Sequence, residues 1–297
     1  MSGEISSATG EAYGVKRVCE TLRIPRSTVY AQQQAASRPP SEPAKRGPKP
    51  KISDEALLDA IRVDLETSPF VGEGHRKVWA RLKFGQGVRV SRKRVLRLMR
   101  EHNLLSPHRR PQGDPVKHDG TICTDEPNVM WGTDATKVFT AEEGYVWVFS
   151  AVEHWNAECM GVHVCKKGDR MAALEPIAQG VLSQFGSVER GVVRGLALRM
   201  DHGSQYTSDH FQNQIKSWGI APSFAFLSEP ETNGVAERFN RTLKEQAIYG
   251  RIFRGVEDVR AAVIAFVENY NSEWRIEKNG FRTPHEMRSE DGQSKAA

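Results

Sequence analysis

Apolar residues near the start of the chain recur at three- and four-residue spacings, the pattern of one buried helical face. The positions are Val15, Val18, Cys19 and Leu22. Pro25 then interrupts the pattern, and a second short helix is expected from Arg26 or Ser27 onward. Two helices joined this closely predict a helix-turn-helix within residues 1–37, although an ordinary helical hairpin fits the same pattern.

Residues 53–106 carry a second helical pattern. Ser53 and Ser91 each stand directly before an apolar helical repeat, as N-caps do, and a middle helix around Trp79 is expected to end near Gly85. Three short helices around one small core are therefore predicted here.

Two segments lack any apolar periodicity. Residues 38–52 are rich in proline and in cations, which predicts an extended basic linker that either is a plain tether or follows a polyanion. Residues 107–126 read as a polar connector between folded parts, with disorder as the alternative.

Residues 127–250 alternate between short apolar runs and helical patterns, which predicts an α/β domain. The runs at 129–139, 144–152 and 158–165 are separated by short turns and predict an antiparallel meander. Helices and strands then alternate: a helix at 169–185, a strand at 193–200, a helix at 208–219, a strand at 221–226 and a closing helix that begins at Thr232 or Asn233. Residues 251–297 predict a further helix and a tail, and the last nine residues are expected to be disordered.

Charge is unevenly distributed between the two halves of the chain. Residues 1–118 have a net charge of +11, the remainder has −6, and the whole chain has +5. A basic front half predicts a polyanionic partner, with nucleic acid as the leading candidate. The candidate contacts lie at the start of the second helix, where they are Arg26, Ser27, Thr28 and Tyr30. A further set follows Ser91, where it is Arg92, Lys93, Arg94 and Arg97, and a merely solvated face is the alternative.

Cysteine spacing and hydropathy indicate the cellular compartment in which the protein is expected to work. Cys19, Cys123, Cys159 and Cys165 form neither a C-x-x-C pair nor a disulfide framework, so reduced thiols in a cytoplasmic protein are expected. The sequence has neither an apolar run long enough to span a membrane nor a signal-peptide pattern at its start. A membrane partner is therefore not expected.

Three acidic residues stand where strands end or a helix begins. Asp134 and Asp201 lie in or directly after apolar strand patterns, and Glu237 lies in the first turns of the closing helix. Lys244 is seven residues beyond Glu237, which returns it to nearly the same helical face with Arg241 between them. A solvated charged face would give the same helical spacing.

The segments around these acids resemble a known family. The sequence M-D-H-G-S-Q-Y around Asp201, then N-G-V-A-E-R-F around Glu237, then Lys244, is similar to the catalytic signature of DDE transposases and retroviral-type integrases. Within that superfamily the chain most resembles the second reading frame of insertion-sequence transposases of the IS-three type. Y-G-V-K-R-V-C-E-T-L-R-I-P-R-S-T-V-Y, G-H-R-K-V-W-A-R-L and V-S-R-K-R-V-L-R-L-M extend the resemblance forward.

The resemblance implies a fold and a chemistry. The fold is a ribonuclease-H-like core with a mixed five-stranded sheet over 127–250, preceded by helix-turn-helix DNA-binding units. Its first and fourth strands are neighbours, which would bring Asp134 and Asp201 together, with Glu237 arriving from the closing helix. These acids would hold two Mg²⁺ ions, for which Mn²⁺ can substitute, and would catalyse DNA nicking and strand transfer. Arg241 and Lys244 would contact DNA.

The implied partners are double-stranded DNA, as the element's terminal repeats and as target, and further copies of the chain bound to that DNA. In many relatives the active enzyme is a fusion with the product of an upstream reading frame. Two alternatives remain: a structure-selective nuclease of the same fold, which would cut without joining, and a catalytically silent DNA-binding regulator. The chain departs from the family's ending at Trp274-Arg275-Ile276, where relatives commonly have Arg-x-His.

Overall fold

The computed structural model describes residues 3–37, 51–106, 124–225 and 233–296, with side chains described through residue 293. The chain divides into two compact units, Met1–Lys51 and Ile52–Ala297. Three predicted segments lie largely outside the described residues: most of the linker (38–50), most of the connector (107–123) and the loop before Glu237 (226–232). The predicted domain limits stay a prediction.

The first unit contains the two predicted helices, α1 (Gly14–Leu22) and α2 (Arg26–Ala36). Arg23 adopts a left-handed conformation that ends α1, and Pro25 stands in extended backbone directly before α2. Cys19 is the residue of α1 that is buried. The turn therefore forms where the proline interrupted the apolar pattern.

The second unit opens with helices that confirm the caps read from the sequence. They are α3 (Asp54–Thr67), α4 (His75–Ala80), a π-helical segment (Arg81–Gly85) and α5 (Arg92–Glu101). The Ser53 hydroxyl accepts from the Ala56 amide, and the Ser91 hydroxyl accepts from the Arg94 amide. The helices enclose a small apolar core that includes Leu57, Ile61 and Met99.

The described strands form one five-stranded sheet in the order β3-β2-β1-β4-β5. They are β1 (Met130–Thr140), β2 (Gly144–Glu153), β3 (Cys159–Cys165), β4 (Ala197–Met200) and β5 (Ala221–Phe224). The first three strands are antiparallel, and β4 and β5 run parallel to β1. This is the predicted ribonuclease-H-like arrangement. β4 begins at Ala197 instead of residue 193, because Gly195 adopts a positive φ that precludes extended backbone there.

Helices cover both faces of the sheet. One face carries α6 (Arg170–Phe185), α7 (Ser204–Thr207) and α8 (Asp209–Trp218), packed around an apolar cluster with Trp131. The other carries α9 (Gly234–Leu243), its π-helical continuation Lys244–Ile248, and α10 (Val256–Glu273), packed around Phe239. Among the helices of the described residues, none is both long and apolar enough to cross a bilayer.

The expected disorder of the last nine residues was wrong. A final helix, α11, spans Pro284–Ala296. Its start is a capping box: the Thr283 hydroxyl accepts from the Glu286 amide, and the Glu286 carboxylate accepts from the Thr283 amide. Arg288, one turn further, pairs with the buried Glu158 and so fixes the helix against the core. The T-P-H-E sequence carried this signal, with proline at the first helical position.

Candidate active site

Asp134 lies on β1, at a point where the sheet opens to solvent. Its Oδ1 accepts a hydrogen bond from the Ala135 amide at 2.7 Å, and its Oδ2 accepts one from Asn240 Nδ2 at 2.9 Å. Burial raises the pKa of the Asp134 carboxyl, and the nearby charge of Asp201 acts in the same direction, against these hydrogen bonds. The carboxyl is therefore a partly buried group that is close to both a second acid, Asp201, and a cation, Lys244.

Two asparagines fix α9 against β1 on either side of Asp134. Asn240 contacts the Asp134 carboxylate, and Asn233 Nδ2 donates to the Thr133 carbonyl at 3.1 Å. The approach is so close that a Cβ at Gly132 would lie 2.8 Å from Asn233 Oδ1. Sequence reasoning missed Asn240, although its position three residues after Glu237 on the same helix face was a usable signal.

The face of α9 between these contacts borders a cleft of about 310 Å³. The residues that line the cleft are Asp134, Ala135, Thr136, Glu237, Asn240, Arg241, Lys244 and Tyr249. The prediction that Glu237 and Lys244 share one face is thereby confirmed. Two acids and two cations from two elements converge on one opening, a combination that can bind both positive and negative groups.

Asp201 directly follows β4, the parallel neighbour of β1. The last paired residues are Gly132 and Arg199, so Asp134 and Asp201 occupy matching positions two residues further along. Asp201 is exposed, and its Oδ1 accepts from the Gly203 amide at 2.8 Å. Among the described residues, no group of three or more acidic, histidine or cysteine side chains is arranged to hold a metal ion. Metal binding by all three acids stays a prediction.

The Tyr206 hydroxyl, near the site, is a poor candidate for a covalent nucleophile. Tyr206 is fully buried beside Phe211, with its hydroxyl 3.5 Å from the Thr133 hydroxyl, and burial raises its pKa far above its usual value. Ser204 begins the short helix α7, which contains Tyr206. The Tyr206 side chain therefore serves the local packing.

Comparisons with known proteins match the chain over nearly its whole length. A model of the HTH-like domain matches residues 53–112, and models of the integrase core domain match 124–226 and 218–284. The chain is 27% identical to the transposase for insertion sequence element IS629 of Shigella sonnei, over 93% of this chain and 92% of that protein. It is 28% identical to transposase InsD for insertion element IS2D of Escherichia coli, over 92% and 90%.

The chain belongs to the transposases of the integrase superfamily. Placement among insertion-sequence transposases of the IS-three type is consistent with these matches. Solved structures similar to this transposase include the catalytic core of BIV integrase, at 21% identity and a TM-score of 0.42, over 57% of this chain and 99% of that one. Another is the HTLV-2 integrase catalytic core in complex with magnesium, at 17% identity and a TM-score of 0.41, over 54% and 96%.

The predicted DNA contacts fall into an exposed group and a tethered group. Arg26, Ser27, Thr28 and Tyr30 are all exposed along the first half of α2, and Arg92 and Lys93 are exposed at the start of α5.

Arg94 and Arg97 form the tethered group. Arg94 turns inward, where it donates to Asp54 at 2.5 Å and to the Ile52 carbonyl at 2.7 Å, and Arg97 pairs with Asp54 and Glu101. Hydrogen bonds from Arg97 and Arg94 hold the pKa of Asp54 below its usual value. A phosphate must displace these carboxylates to reach either guanidinium.

Proposed function

We propose that this transposase binds the terminal repeats of its insertion sequence and performs metal-dependent nicking and strand transfer at Asp134, Asp201 and Glu237. The observation that carries the proposal is the cleft that Asp134, Glu237, Arg241 and Lys244 line together. Acids suit cation binding, and the neighbouring cations suit a phosphodiester backbone. A silent DNA-binding regulator would not need metal-binding acids at this opening, whereas a nuclease of the same fold would use the same groups, so joining of the cut ends is what separates the two enzymes.

The donor chemistry of the site fits a hard divalent cation. Integrase core domains generally use a divalent metal. The acids supply only oxygen ligands, which Mg²⁺ and Mn²⁺ prefer. Asp134, Asp201 and Glu237 would hold two such ions, which when bound activate the attacking hydroxyl and stabilise the leaving oxygen.

The protein's own groups orient the reaction. Asn240 and the Ala135 amide fix the Asp134 carboxylate, so that its position is set before substrate arrives. Lys244 and Arg241 would neutralise the phosphates on either side of the cut bond. Because Tyr206 is buried, its hydroxyl is not available to attack, and water or a DNA 3′-OH would be the attacking group.

The reaction is tested with linear, end-labelled DNA that carries candidate terminal repeats, incubated with the transposase with and without Mg²⁺. The proposal predicts a nick that leaves a 3′-OH, followed by joining of that end to target DNA, and both should require the metal. Nicking without any joining would support the nuclease alternative, and binding without nicking would support the regulator.

Removing exposed cations from α5 should weaken DNA binding uniformly across sequences. If Arg92 and Lys93 each bind one phosphate, replacing either with Ala should lower the slope of log affinity against log salt by about 0.9. Arg97→Ala should lower the slope less, because Asp54 and Glu101 already pair with that guanidinium. Fluorescence anisotropy across a salt series measures this slope. Lys216→Ala removes an exposed cation from α8 and should leave the slope unchanged. An unchanged slope in all three α5 variants would contradict the role given to this helix.

Lys244 should hold a phosphate of the terminal DNA close to Glu237. Lys244→Ala should weaken end binding about tenfold or more, since a charge-assisted hydrogen bond contributes about 1.5–3 kcal/mol. Lys244→Arg keeps the charge and should retain most of the binding. The measurement is the apparent affinity for a terminal-repeat duplex, alongside the thermal midpoint as a check of folding. Normal end binding and nicking by Lys244→Ala would refute this role.

A further inference from the structure

The loop between α3 and α4 inserts into the catalytic core. Phe70 is only 6% exposed and belongs to the apolar cluster around Phe239 on the α9 face of the sheet. Its ring meets Trp274 edge to face, with centroids 4.7 Å apart. An aromatic side chain of the HTH-like unit therefore completes the core of the catalytic domain.

The same loop is bound to the helix that lines the cleft. The Val71 amide donates to Gln246 Oε1 at 2.8 Å, and Gln246 Nε2 donates to the Val71 carbonyl at 2.9 Å. Gln246 lies two residues beyond Lys244, in the π-helical continuation of α9. One side chain thus pairs with both backbone groups of Val71 and connects the loop to the element that carries Glu237.

A second set of contacts connects α4 and α5 to the segment after α10. Glu277 pairs with Arg76 at 2.7 Å and with Arg92, at the start of α5, at 3.5 Å. Phe281 meets Trp79 edge to face at 5.3 Å, and the Lys77 ammonium lies over the Trp274 ring. Trp274 begins the segment in which the chain departs from the ending of its family.

We propose that Phe70, Gln246, Trp274 and Glu277 form a docking joint that determines which phosphodiester bond is cut. These residues are positioning residues: they hold α5 at a fixed offset from the Asp134–Glu237 cleft. If α5 contacts a defined stretch of DNA, a rigid offset presents one bond to the cleft. The proposal rests on the proposed function, because it concerns the choice of the bond that is nicked.

The joint has a signature that does not depend on activity. The Val71 side chain is 69% exposed, so its amide would exchange rapidly with solvent unless Gln246 protects it. Hydrogen exchange of the full chain should show slow exchange at Val71, and Gln246→Ala should accelerate that exchange at least tenfold. Rapid exchange of the Val71 amide in the unmodified protein would contradict the proposed joint, whether or not the protein nicks DNA.

The effect on bond choice is read by mapping nicks at single-nucleotide resolution on end-labelled DNA, with a protection footprint on the same DNA. In Gln246→Ala and Trp274→Ala the protein should protect the same stretch of DNA. The nicks should instead be distributed over several neighbouring bonds, where the unmodified protein cuts one. Ile252→Ala, at a side chain 92% exposed, serves as the control and should nick at the original bond.

A charge exchange separates positioning from general damage to the fold. Glu277→Arg should spread the nicks, because it places a cation beside Arg76 and Arg92. Adding Arg76→Glu to Glu277→Arg restores a pair of opposite charges at this contact, so the nicks should again fall at the original bond. One unchanged nick position in Gln246→Ala, Trp274→Ala and Glu277→Arg, with Val71 exchange accelerated in Gln246→Ala, would overturn the proposal. Absence of nicking by the unmodified protein would instead refute the proposed function, and Val71 exchange would still test the joint.

Discussion

Replacing Asp201 with Asn or Glu237 with Gln should lower the rate of DNA nicking by about 10³–10⁵-fold, the range for removing one charge-stabilising group from a phosphoryl-transfer site. Each change keeps the shape of the side chain and removes a negative charge, together with the cation ligand that the proposed function assigns to it. Both side chains are exposed, so folding and DNA binding should survive. Nicking of end-labelled DNA in Mg²⁺ and in Mn²⁺, with the thermal midpoint of each variant, measures the effect.

Asp134→Asn should be as inactive in nicking as the Asp201 and Glu237 variants, and its free energy of unfolding should be somewhat lower than theirs. Asp134 accepts two hydrogen bonds on separate oxygens, and an asparagine offers only one acceptor atom to Ala135 and Asn240. The stability loss should be about 1 kcal/mol.

The matched control for the three acids is Glu245→Gln, an exposed acid directly after Lys244, which should nick normally. Glu229 and Glu231 are further predicted controls and lie outside the described residues. A normal nicking rate in Asp201→Asn or Glu237→Gln would remove that residue from the site.

Replacing Arg81 with Met should destabilise the α3–α5 helices by about 3–5 kcal/mol. Arg81 is held between Asp64, at 2.7 Å, and Glu73, and both acids are almost completely buried. Burial lowers the pKa of Arg81, but its bonds to Asp64 and Glu73 outweigh this and raise it overall, so the guanidinium stays charged. Without that cation, two buried carboxylates remain close together, and the nearest remaining cation recorded among the described residues is Lys77, 3.9 Å from Glu73.

Hydrogen exchange of the amides in α3 and α5 measures this loss locally, and urea denaturation measures it globally. Arg62→Met is the comparison: its ion pair with Asp59 spans 4.0 Å and is exposed, so the loss should stay below about 1 kcal/mol. Equal effects of the two substitutions would show that the buried network adds nothing to stability. Because Glu73 also accepts from Ser68, Arg81→Met should loosen the loop that carries Phe70.

The sequence predicted the structural features that depend on residues close to one another along the chain. Ser53 and Ser91 cap their helices as expected, because a cap is a bond between residues two or three positions apart. Asp169 and Ser208 likewise cap the helices that were predicted to start at those positions. The strand order followed from turn lengths and from the resemblance. The shared face of Glu237 and Lys244 followed from helical geometry alone.

Contacts between distant segments escaped prediction. Arg94 belongs by pattern to a basic outer face, yet Asp54, forty positions earlier, draws its guanidinium inward. Asn240 carries no charge, so its position on the helix face of Glu237 was the signal of its contact with Asp134, and its residue type gave none. The meeting of Phe70 with Trp274 joins segments more than 200 residues apart and depends on the packing of the whole unit.

Strand joining from a pre-nicked end tests the central claim most directly, because it isolates the second reaction from the first. A duplex that already carries a free 3′-OH at the element end is incubated with target DNA, Mg²⁺ and either the unmodified transposase or Asp201→Asn. If Asp134, Asp201 and Glu237 form one site for both reactions, the unmodified protein joins the end and Asp201→Asn binds it without joining. Joining by Asp201→Asn at a near-normal rate, while its nicking is lost, would contradict the account.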